Sequence, residues 1–383
     1  MTFRLNIFFT FILVFWLSKG YSKGDTSLSQ PKDSFQLGGK IGVQLGASDF
    51  EHTIAHAGLR IIPALSYSKN LGKNRSLHLN VTANLNSFYW ERQDITKQNF
   101  AMDLNRASVG YESDRLEITA GLQRLKFGSS AIMRTLQWFD TLDIRDPQKV
   151  SEGVTGLTGK YYISEKTSIL IWALLENKFN SIYHQTSIKK PEIGFRFQFG
   201  RTAFSYNRKT SSEYLLPYSE KFHEHKFAFD TKKKGKVDLW LETEHIVNQM
   251  NLSFFKHQTT INPGIGVELN VGNGLNISVE QLLRVWYDYI FDIFYFVDNQ
   301  ISSLRIEYDV NDHNKIGLLS KFSWRKITMA NYLNLQHDFN RLSLHLLANL
   351  NPRRDFTPLP TEYPFNNTNG FGIQLMAVYR IGQ

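Results

Sequence analysis

The chain contains no cysteine. That excludes a disulfide scaffold, a cysteine-ligated zinc site, an iron–sulfur cluster, a thiol nucleophile and a lipoprotein anchor, each of which needs the thiol. Proline is scarce, with 10 in 383 residues. After the first thirty or so residues no Pro/Gly/Ser-rich linker or shift of composition divides the chain, so one repetitive all-β unit is the simplest expectation. No later stretch reaches the roughly 18 apolar residues of a transmembrane helix, and a period near 3.6 is hard to find. Aromatic side chains are abundant, with 29 Phe and 17 Tyr, and charged residues of both signs make up 21%. A disordered tail does not have this composition.

The N-terminus indicates export. Arg4 precedes the run IFFTFILVFWL (7–17), and the small and polar stretch SKGYS (18–22) follows. That is the layout of a secretory signal, too short to span a bilayer as a helix. Cleavage after Gly20 or Ser22 is expected. Removing 1–22 takes away Arg4 and Lys19 and no acid, leaving 42 basic against 35 acidic residues, or +7. The expected organisation is a signal peptide (1–22), a short periplasmic segment (23–34) and a single β unit (35–383).

Period two dominates that unit. In RSLHLNVTANLNSF, Leu77, Leu79, Val81, Ala83 and Leu85 share one face, and His78, Asn80, Thr82, Asn84 and Asn86 share the other. The final segment places Phe371, Ile373, Leu375, Ala377, Tyr379 and Ile381 opposite Gly372, Gln374 and Arg380. The same split recurs around Phe35, Ile193, Ile265 and Leu342. Two-faced segments of about ten residues suit a transmembrane β-barrel. Strands of a soluble sandwich run to about five or six.

Connections alternate between short and long. Tight turns rich in Asn, Asp and Gly, which tolerate positive φ, fall at 68–75, 112–115, 164–166, 200, 230–236, 272–274, 309–314 and 337–340. Between them lie connections at 47–56, 88–100, 128–152, 178–190, 211–221, 245–261, 286–299 and 351–369, with a short one around Arg325 and Lys326. Eight turns and nine opposite connections predict eighteen antiparallel strands, with sixteen as the alternative if the hairpin 315–336 is misread. An even count places both termini on the periplasmic side.

At this point the chain resembles the porin-like outer-membrane β-barrels of Gram-negative bacteria. The likeness covers essentially the whole mature chain. Its one local motif is GLQRLKFGSS, with Gly121, Gln123, Phe127 and Gly128, similar to the Gly-x-Gln strand that precedes a long loop in some such barrels. Ile381, Gly382 and Gln383 close the chain, where such barrels often end on Phe or Trp. Assembly would then rest on the alternating apolar residues. The resemblance implies a passive channel for small hydrophilic solutes in the outer membrane. It also implies that the connection after Gly128 folds into the lumen, carrying Arg134, Asp140, Asp143, Arg145, Asp146 and Lys149 to a constriction. Trp138, Phe139 and Ile144 would pin it to the wall. An ordinary surface loop is the alternative.

Across the expected strands 17 basic residues face 11 acidic ones. Charged strand residues mostly face the lumen, so Lys40, Arg60, Arg196, Arg201, Arg305 and Arg380 are expected to line it and to favour anions weakly. His223 and His225 share a face but supply only two metal ligands, and no metal or cofactor is expected. The aromatic run 286–297 (WYDYIFDIFYFV) suits either a sugar- or partner-binding patch or the interfacial girdle. Lys232, Lys233 and Lys234 read as a solvated hairpin tip rather than a nucleic-acid patch. No nucleotide-binding, metalloprotease or nucleophile-elbow motif occurs, so no enzyme is expected, although a dispersed hydrolase site stays open. Expected partners are outer-membrane lipid and small hydrophilic solutes, with a homo-oligomer or another outer-membrane protein as further options and no nucleic acid. Trp240, Leu319 and Tyr332 fall on inward faces, which keeps a second reading open: a plugged barrel serving as scaffold or surface-binding component.

Overall fold

A computed structural model describes residues 33–50, 52–72, 74–92, 95–175, 191–213, 220–250, 257–288, 293–295, 300–351 and 370–382. The expected signal peptide (1–22) and most of the segment 23–34 lie outside the described residues. Twenty hydrogen-bonded segments follow in order: β1 Ser34–Phe50, β2 His52–Gly72, β3 Arg75–Arg92, β4 Ile95–Glu112, β5 Leu116–Gln123, β6 Val154–Tyr162, β7 Thr167–Leu175, β8 Glu192–Phe199, β9 Thr202–Glu213, β10 Glu220–Lys233, β11 Val237–Met250, β12 His257–Gly272, β13 Leu275–Leu282, β14 Val285–Asp288, β15 Ile293–Tyr295, β16 Ile301–Asp309, β17 Asn314–Ser323, β18 Thr328–Phe339, β19 Leu342–Asn351 and β20 Gly370–Ile381.

β13 and β14 pair with successive parts of β12, and β16 and β15 pair in turn with β13 and β14. Each couple therefore makes one wall strand with a break in it. The break at 283–284 lies beside Pro263 of β12, which has no N–H for the ladder and whose carbonyl accepts the Leu283 N–H at 3.0 Å. The wall is an antiparallel sheet of eighteen strands, closed where β1 meets β20 from Gly39↔Ile381 to Asp49↔Phe371. The hairpin 315–336 is a regular β17–β18 pair, so the sixteen-strand alternative does not hold.

A tight connection occurs at or beside each of the eight expected places, although β2 runs on to Gly72, β10 to Lys233 and β18 to Phe339, into the stretches 68–75, 230–236 and 337–340. Asn74, Gly200 and Asn273 take positive φ there, of 56°, 58° and 50°, as short hairpins require. Closure satisfies the backbone groups within the sheet, so the outward face needs only apolar side chains. Phe35, Leu37, Val43, Ile193, Phe195, Ile265, Phe371 and Leu375 are among the exposed residues of that face. Gln44, Asn84, Asn207, Glu242, Ser343, His345 and Gln374 are buried on the inward face.

The wall is uneven in height. β1 to β4 run to 17, 21, 18 and 18 residues, while β5 to β8 have 8, 9, 9 and 8. At a rise of roughly 3.3 Å per residue, the short strands barely cross the apolar band, which is about 25 Å tall. β5 pairs with β4 only from Ala107↔Leu122 downwards. Beyond Gln123 the chain leaves the wall, and this opening admits the segment 124–153.

Candidate functional site

The departure from the wall is built by the motif singled out in the sequence. Gly121, at φ +106°, lies so close to the Ala107 carbonyl that a Cβ would collide with it. Gln123 donates to the carbonyls of Thr119 and Gly156, both at 3.2 Å, and accepts from the Thr158 hydroxyl at 2.8 Å. These bonds end the strand firmly. Gly128 then turns the chain at φ +86°, and a Cβ there would lie 2.6 Å from a Glu242 carboxylate oxygen. Only glycine suits both demands.

Residues 129–133 present a row of backbone N–H groups to two inward carboxylates of the wall. Glu242 of β11 accepts from the amides of Ser129 and Ser130. Glu280 of β13 accepts from the amides of Ala131 (2.8 Å), Ile132 (3.0 Å) and Met133 (2.6 Å) and from the Ser130 hydroxyl (2.8 Å). Nearby, the Trp138 indole donates to Glu244 of β11 at 2.6 Å.

The segment next builds an apolar knot against β6, β7 and β10. Phe139 is 1% exposed and Trp138 3%, and with Leu125, Leu136, Val154, Trp172 and Leu174 they form a buried cluster. Phe127 meets Trp138 and Phe139 edge-on, with centroids 6.0 and 5.6 Å apart. Ile144 instead lies beside the β16–β20 wall, in a small cavity of about 110 Å³ shared with Leu319 and Tyr332.

Asp140, Asp143 and Asp146 recur every third residue, and each does two things. One oxygen accepts the backbone N–H two residues on: Leu142 at 2.6 Å, Arg145 at 2.9 Å and Gln148 at 3.0 Å. Such Asx turns fix the local backbone. The other oxygen holds a guanidinium: Asp140 with Arg134 at 2.5 Å, Asp143 with Arg145 at 2.7 Å, and Asp146 with Arg60 of β2 at 2.8 Å. Arg145 also donates to the Tyr332 hydroxyl of β18 at 2.8 Å, and Lys40 of β1 donates to the Gln148 carbonyl at 3.0 Å. Burial works against the charge on Arg145, but Asp143 and Tyr332 more than offset it and hold the guanidinium above its ordinary range. The segment thus touches inward side chains of β1, β2, β11, β13 and β18. It lies across the interior of the barrel.

The six candidates on this segment fall into separate groups: Arg134 pairs with Asp140, Arg145 with Asp143, and Asp146 with Arg60 of the wall, while Lys149 is exposed. Arg134 and Lys149 adopt positive φ, 49° and 51°, at tight bends. Around Asp140 the charge is strongly positive. Arg124 is 3.4 Å from Asp140, and Arg106 of β4 lies within electrostatic reach of both. Burial, then the positive charges of Arg134 and Arg124, hold the Lys126 ammonium below its ordinary range, with Asp140 opposing them.

The wall candidates are placed less uniformly. Lys40, Arg60, Arg196, Arg305 and Arg380 stand on inward positions. Arg196 forms a paired bond to Asp230, at 2.6 and 2.9 Å, and Arg380 donates to Ser343 at 3.1 Å. Arg201 is different: it is exposed in the β8–β9 turn, because β8 ends at Phe199. Arg341 also sits in a turn, and Arg208 is exposed on an outward position of β9. Asp230 and Asp338, assigned to turns from the sequence, instead reach inward from β10 and β18. The wall is therefore nearer to charge balance than a count over expected strands implies. Lys232 is no solvated tip. Its ammonium lies 5.0 Å from the Trp240 ring centre and pairs with Asp238 at 3.1 Å.

The two carboxylates that hold the amide row, Glu242 and Glu280, were indistinguishable in the sequence from other lumenal acids. The every-third-residue aspartates were visible as spacing. His223 and His225 alternate with inward Glu224 and Lys226, and lie at hydrogen-bond distance from Thr210 (3.1 Å) and Tyr206 (2.9 Å). Of the run 286–297, only the Trp286 side chain lies within what is described, and it faces inward.

No protein-family model matches the chain, and no curated relative matches it in sequence. Solved structures do match in shape. OmpT of Vibrio cholerae, in a trimer form, is similar over 91% of this chain and 100% of that one, at 10% identity and a TM-score of 0.50. OccK5 (OpdH) of Pseudomonas aeruginosa is similar over 91% and 98%, at 10% identity and a TM-score of 0.52. OccK7 (OpdD) of the same organism covers the same shares at 9% identity and a TM-score of 0.51. At such identities the likeness is one of fold, and the fold is that of the outer-membrane porins.

Proposed function

We propose that the chain is a passive outer-membrane channel for small hydrophilic solutes, narrowed by the segment 124–153 and weakly selective for anions. The observation that carries this reading is the segment's course across the barrel interior, fastened to opposite walls by Glu242 and Glu280 on one side and Arg60 and Lys40 on the other. Its constriction residues are Arg134, Asp140, Asp143, Arg145, Asp146 and Lys149. Lys40, Arg60, Arg196, Arg305 and Arg380 line the water path, while Arg201 stands at the rim. Anion preference then comes chiefly from the cluster of Arg106, Arg124, Lys126, Arg134 and Lys149 around Asp140, since the narrowest point dominates selectivity. Purified protein in a planar bilayer should give stepwise ionic conductance. Silence at every voltage would remove the channel and leave the barrel.

Changing both Asp143 and Asp146 to Asn keeps the Asx turns, because the amide oxygen still accepts, and removes two negative charges. A unit charge about 10 Å from a passing ion is worth roughly 0.4 kcal/mol in water, or about a twofold change in local ion concentration. The double variant should shift the reversal potential under a KCl gradient further towards anions, by a few-fold in permeability ratio. The shift should fade at high salt. An unchanged reversal potential would place these carboxylates away from the ion path.

A second reading has its own support. Trp240, Leu319 and Tyr332 turn bulky side chains inward, and Trp240 and Leu319 are buried, as a plugged scaffold would require. Isolation of the native protein with a stoichiometric outer-membrane partner and no conductance would favour it. Self-association belongs to the channel reading, and a sedimentation measurement in detergent would count the copies.

A further inference from the structure

The outward face of β9, β10 and β11 changes character along its height. From the tight turns upward it begins with Phe204 and Tyr206 on β9, Phe229 and Phe227 on β10, and Leu239 and Leu241 on β11. Towards the long connections it continues with Arg208 and Thr210, His225 and His223, and His245. A change from apolar to polar on three neighbouring strands marks the upper edge of the apolar band. In barrels of this class the long connections lie on the extracellular side, so this edge meets the outer leaflet.

Arg208 carries a full positive charge at this edge. It is exposed, stands directly opposite His225 in the ladder and lies within electrostatic reach of it. Among the described residues it has no carboxylate partner. The acids closest to it along the ladder, Glu192, Glu224 and Glu244, belong to the inward face, so the sheet itself separates them from the guanidinium. The imidazoles beside it are oriented: His225 Nδ1 lies 2.9 Å from the Tyr206 hydroxyl and His223 Nδ1 lies 3.1 Å from that of Thr210. With the Tyr206 hydroxyl donating to Nδ1, the neutral His225 ring keeps its proton on Nε2, a donor on the face that carries the guanidinium. Directly below, rings make an apolar patch. Phe204 and Phe229 have centroids 5.0 Å apart, Tyr206 and Phe227 5.1 Å, and Phe195 and Tyr206 5.8 Å. Phe195, Phe204 and Phe227 are exposed.

We propose that this edge of the barrel binds the phosphate of an outer-leaflet lipid, held by the Arg208 guanidinium and the His225 Nε2–H, with the acyl chains of the same molecule lying on Phe195, Phe204 and Phe227. A guanidinium presents a fork of donors that matches two phosphate oxygens. A cation at the lipid boundary without a carboxylate of its own is satisfied by an anionic headgroup in the place that lipid already occupies. The ring patch lies below it along the strands, where the hydrocarbon of that lipid would run. A soluble anion would use only the upper half of the site. The inference rests on the outer-membrane placement within the reading above and not on conduction.

The test uses the full barrel in an uncharged maltoside detergent, followed by native mass spectrometry. It is titrated with a diphosphorylated lipid A, with the same lipid freed of its phosphates, and with inorganic phosphate. Retention of the phosphorylated lipid, one per chain, at micromolar concentration is expected, with far weaker retention of the dephosphorylated form. Arg208→Ala should weaken retention by about tenfold or more, and Arg208→Lys, which keeps the charge but not the fork, should recover part of it. Lys233→Ala, an exposed cation at the opposite end of β10, should change nothing. The melting of each variant on heating in detergent shows that the barrel is intact. Equal weakening by the two alanine variants overturns the proposal in favour of general charge attraction, and equal retention of the dephosphorylated lipid overturns it as well. Displacement of the lipid by inorganic phosphate would make this a site for free anions. An oligomer that falls apart in Arg208→Ala, with no lipid on the unmodified protein, would make it a contact between copies; either result overturns the lipid site. Lipid retention is read without conductance, so a silent barrel that keeps the lipid overturns the channel and spares this site.

Discussion

Channels in which Glu242 and Glu280 are both replaced by alanine should conduct more than the unmodified protein and should do so with a noisier open state. Five backbone amides, those of residues 129 to 133, and the Ser130 hydroxyl end on these two carboxylates. The Ile132 amide is buried, and a buried donor left without an acceptor costs about 1–3 kcal/mol, while the part-buried donors lose bonds that water replaces only in part, so the double variant loosens the seating of the amide row. The segment would still be held by the Phe139 and Trp138 knot and by Asp146 on Arg60. It would swing rather than leave. Glu280→Gln keeps one carbonyl acceptor and should fall between the two. Single-channel recordings decide the matter. A double alanine variant with unchanged conductance and noise would mean that the amide row does not bound the conducting path.

Reversal of charge at Arg124 and Lys126 is the second large effect. Both change to Glu in one variant, a swing of four charge units at the edge of the cluster around Asp140. At roughly twofold per unit charge at 10 Å, the local ratio of anions to cations should fall by at least an order of magnitude before screening. The reversal potential under a KCl gradient should change sign, from anion-selective to cation-selective. Raising the salt to 1 M, where the Debye length is about 3 Å, should bring the two proteins together. A variant that keeps its anion preference would locate the selecting charge elsewhere, on Lys40, Arg60 and Arg380. The Asp143 and Asp146 substitutions would then gain weight as the more informative pair.

The barrel was legible in the sequence because lipid imposes a rule on every wall strand: alternate side chains must be apolar. Strand number, the approximate places of the eight tight turns and the inward placement of Trp240 follow from that rule and from the need for Asn or Gly at positive φ. Strand length did not follow. β2 runs to 21 residues where about ten were expected, because above the lipid both faces meet polar surroundings and the alternation no longer marks an end. Charge placement was read unevenly for the same reason. Arg201 and Asp230 lie near strand ends, where one residue's error moves a side chain from wall to turn. The course of 124–153 was available only through resemblance. Its holding groups are remote, Glu242 being 113 residues from Ser129 and Arg60 being 86 from Asp146, and no local pattern joins them.

Closing the barrel has a consequence for how the chain folds. The seam between β1 and β20 joins residues some 330 apart, as the 2.9 Å bond from Gln374 to Gln44 shows. Bringing such distant residues together costs about 3 kcal/mol more loop entropy than closing a ten-residue hairpin. The seam is therefore the contact to be made last, after the neighbouring hairpins have zipped. Before it forms, Lys40 and Arg60 at one border of the unfinished sheet and Tyr332 near the other are far apart, and the segment 124–153 cannot lean on both. Ordering of that segment thus becomes a late event tied to closure. A chain stalled short of β20 would expose its polar interior and leave Asp143 and Asp146 without their setting. The arrangement Arg145–Tyr332 together with Asp146–Arg60 is a record that the circle has closed.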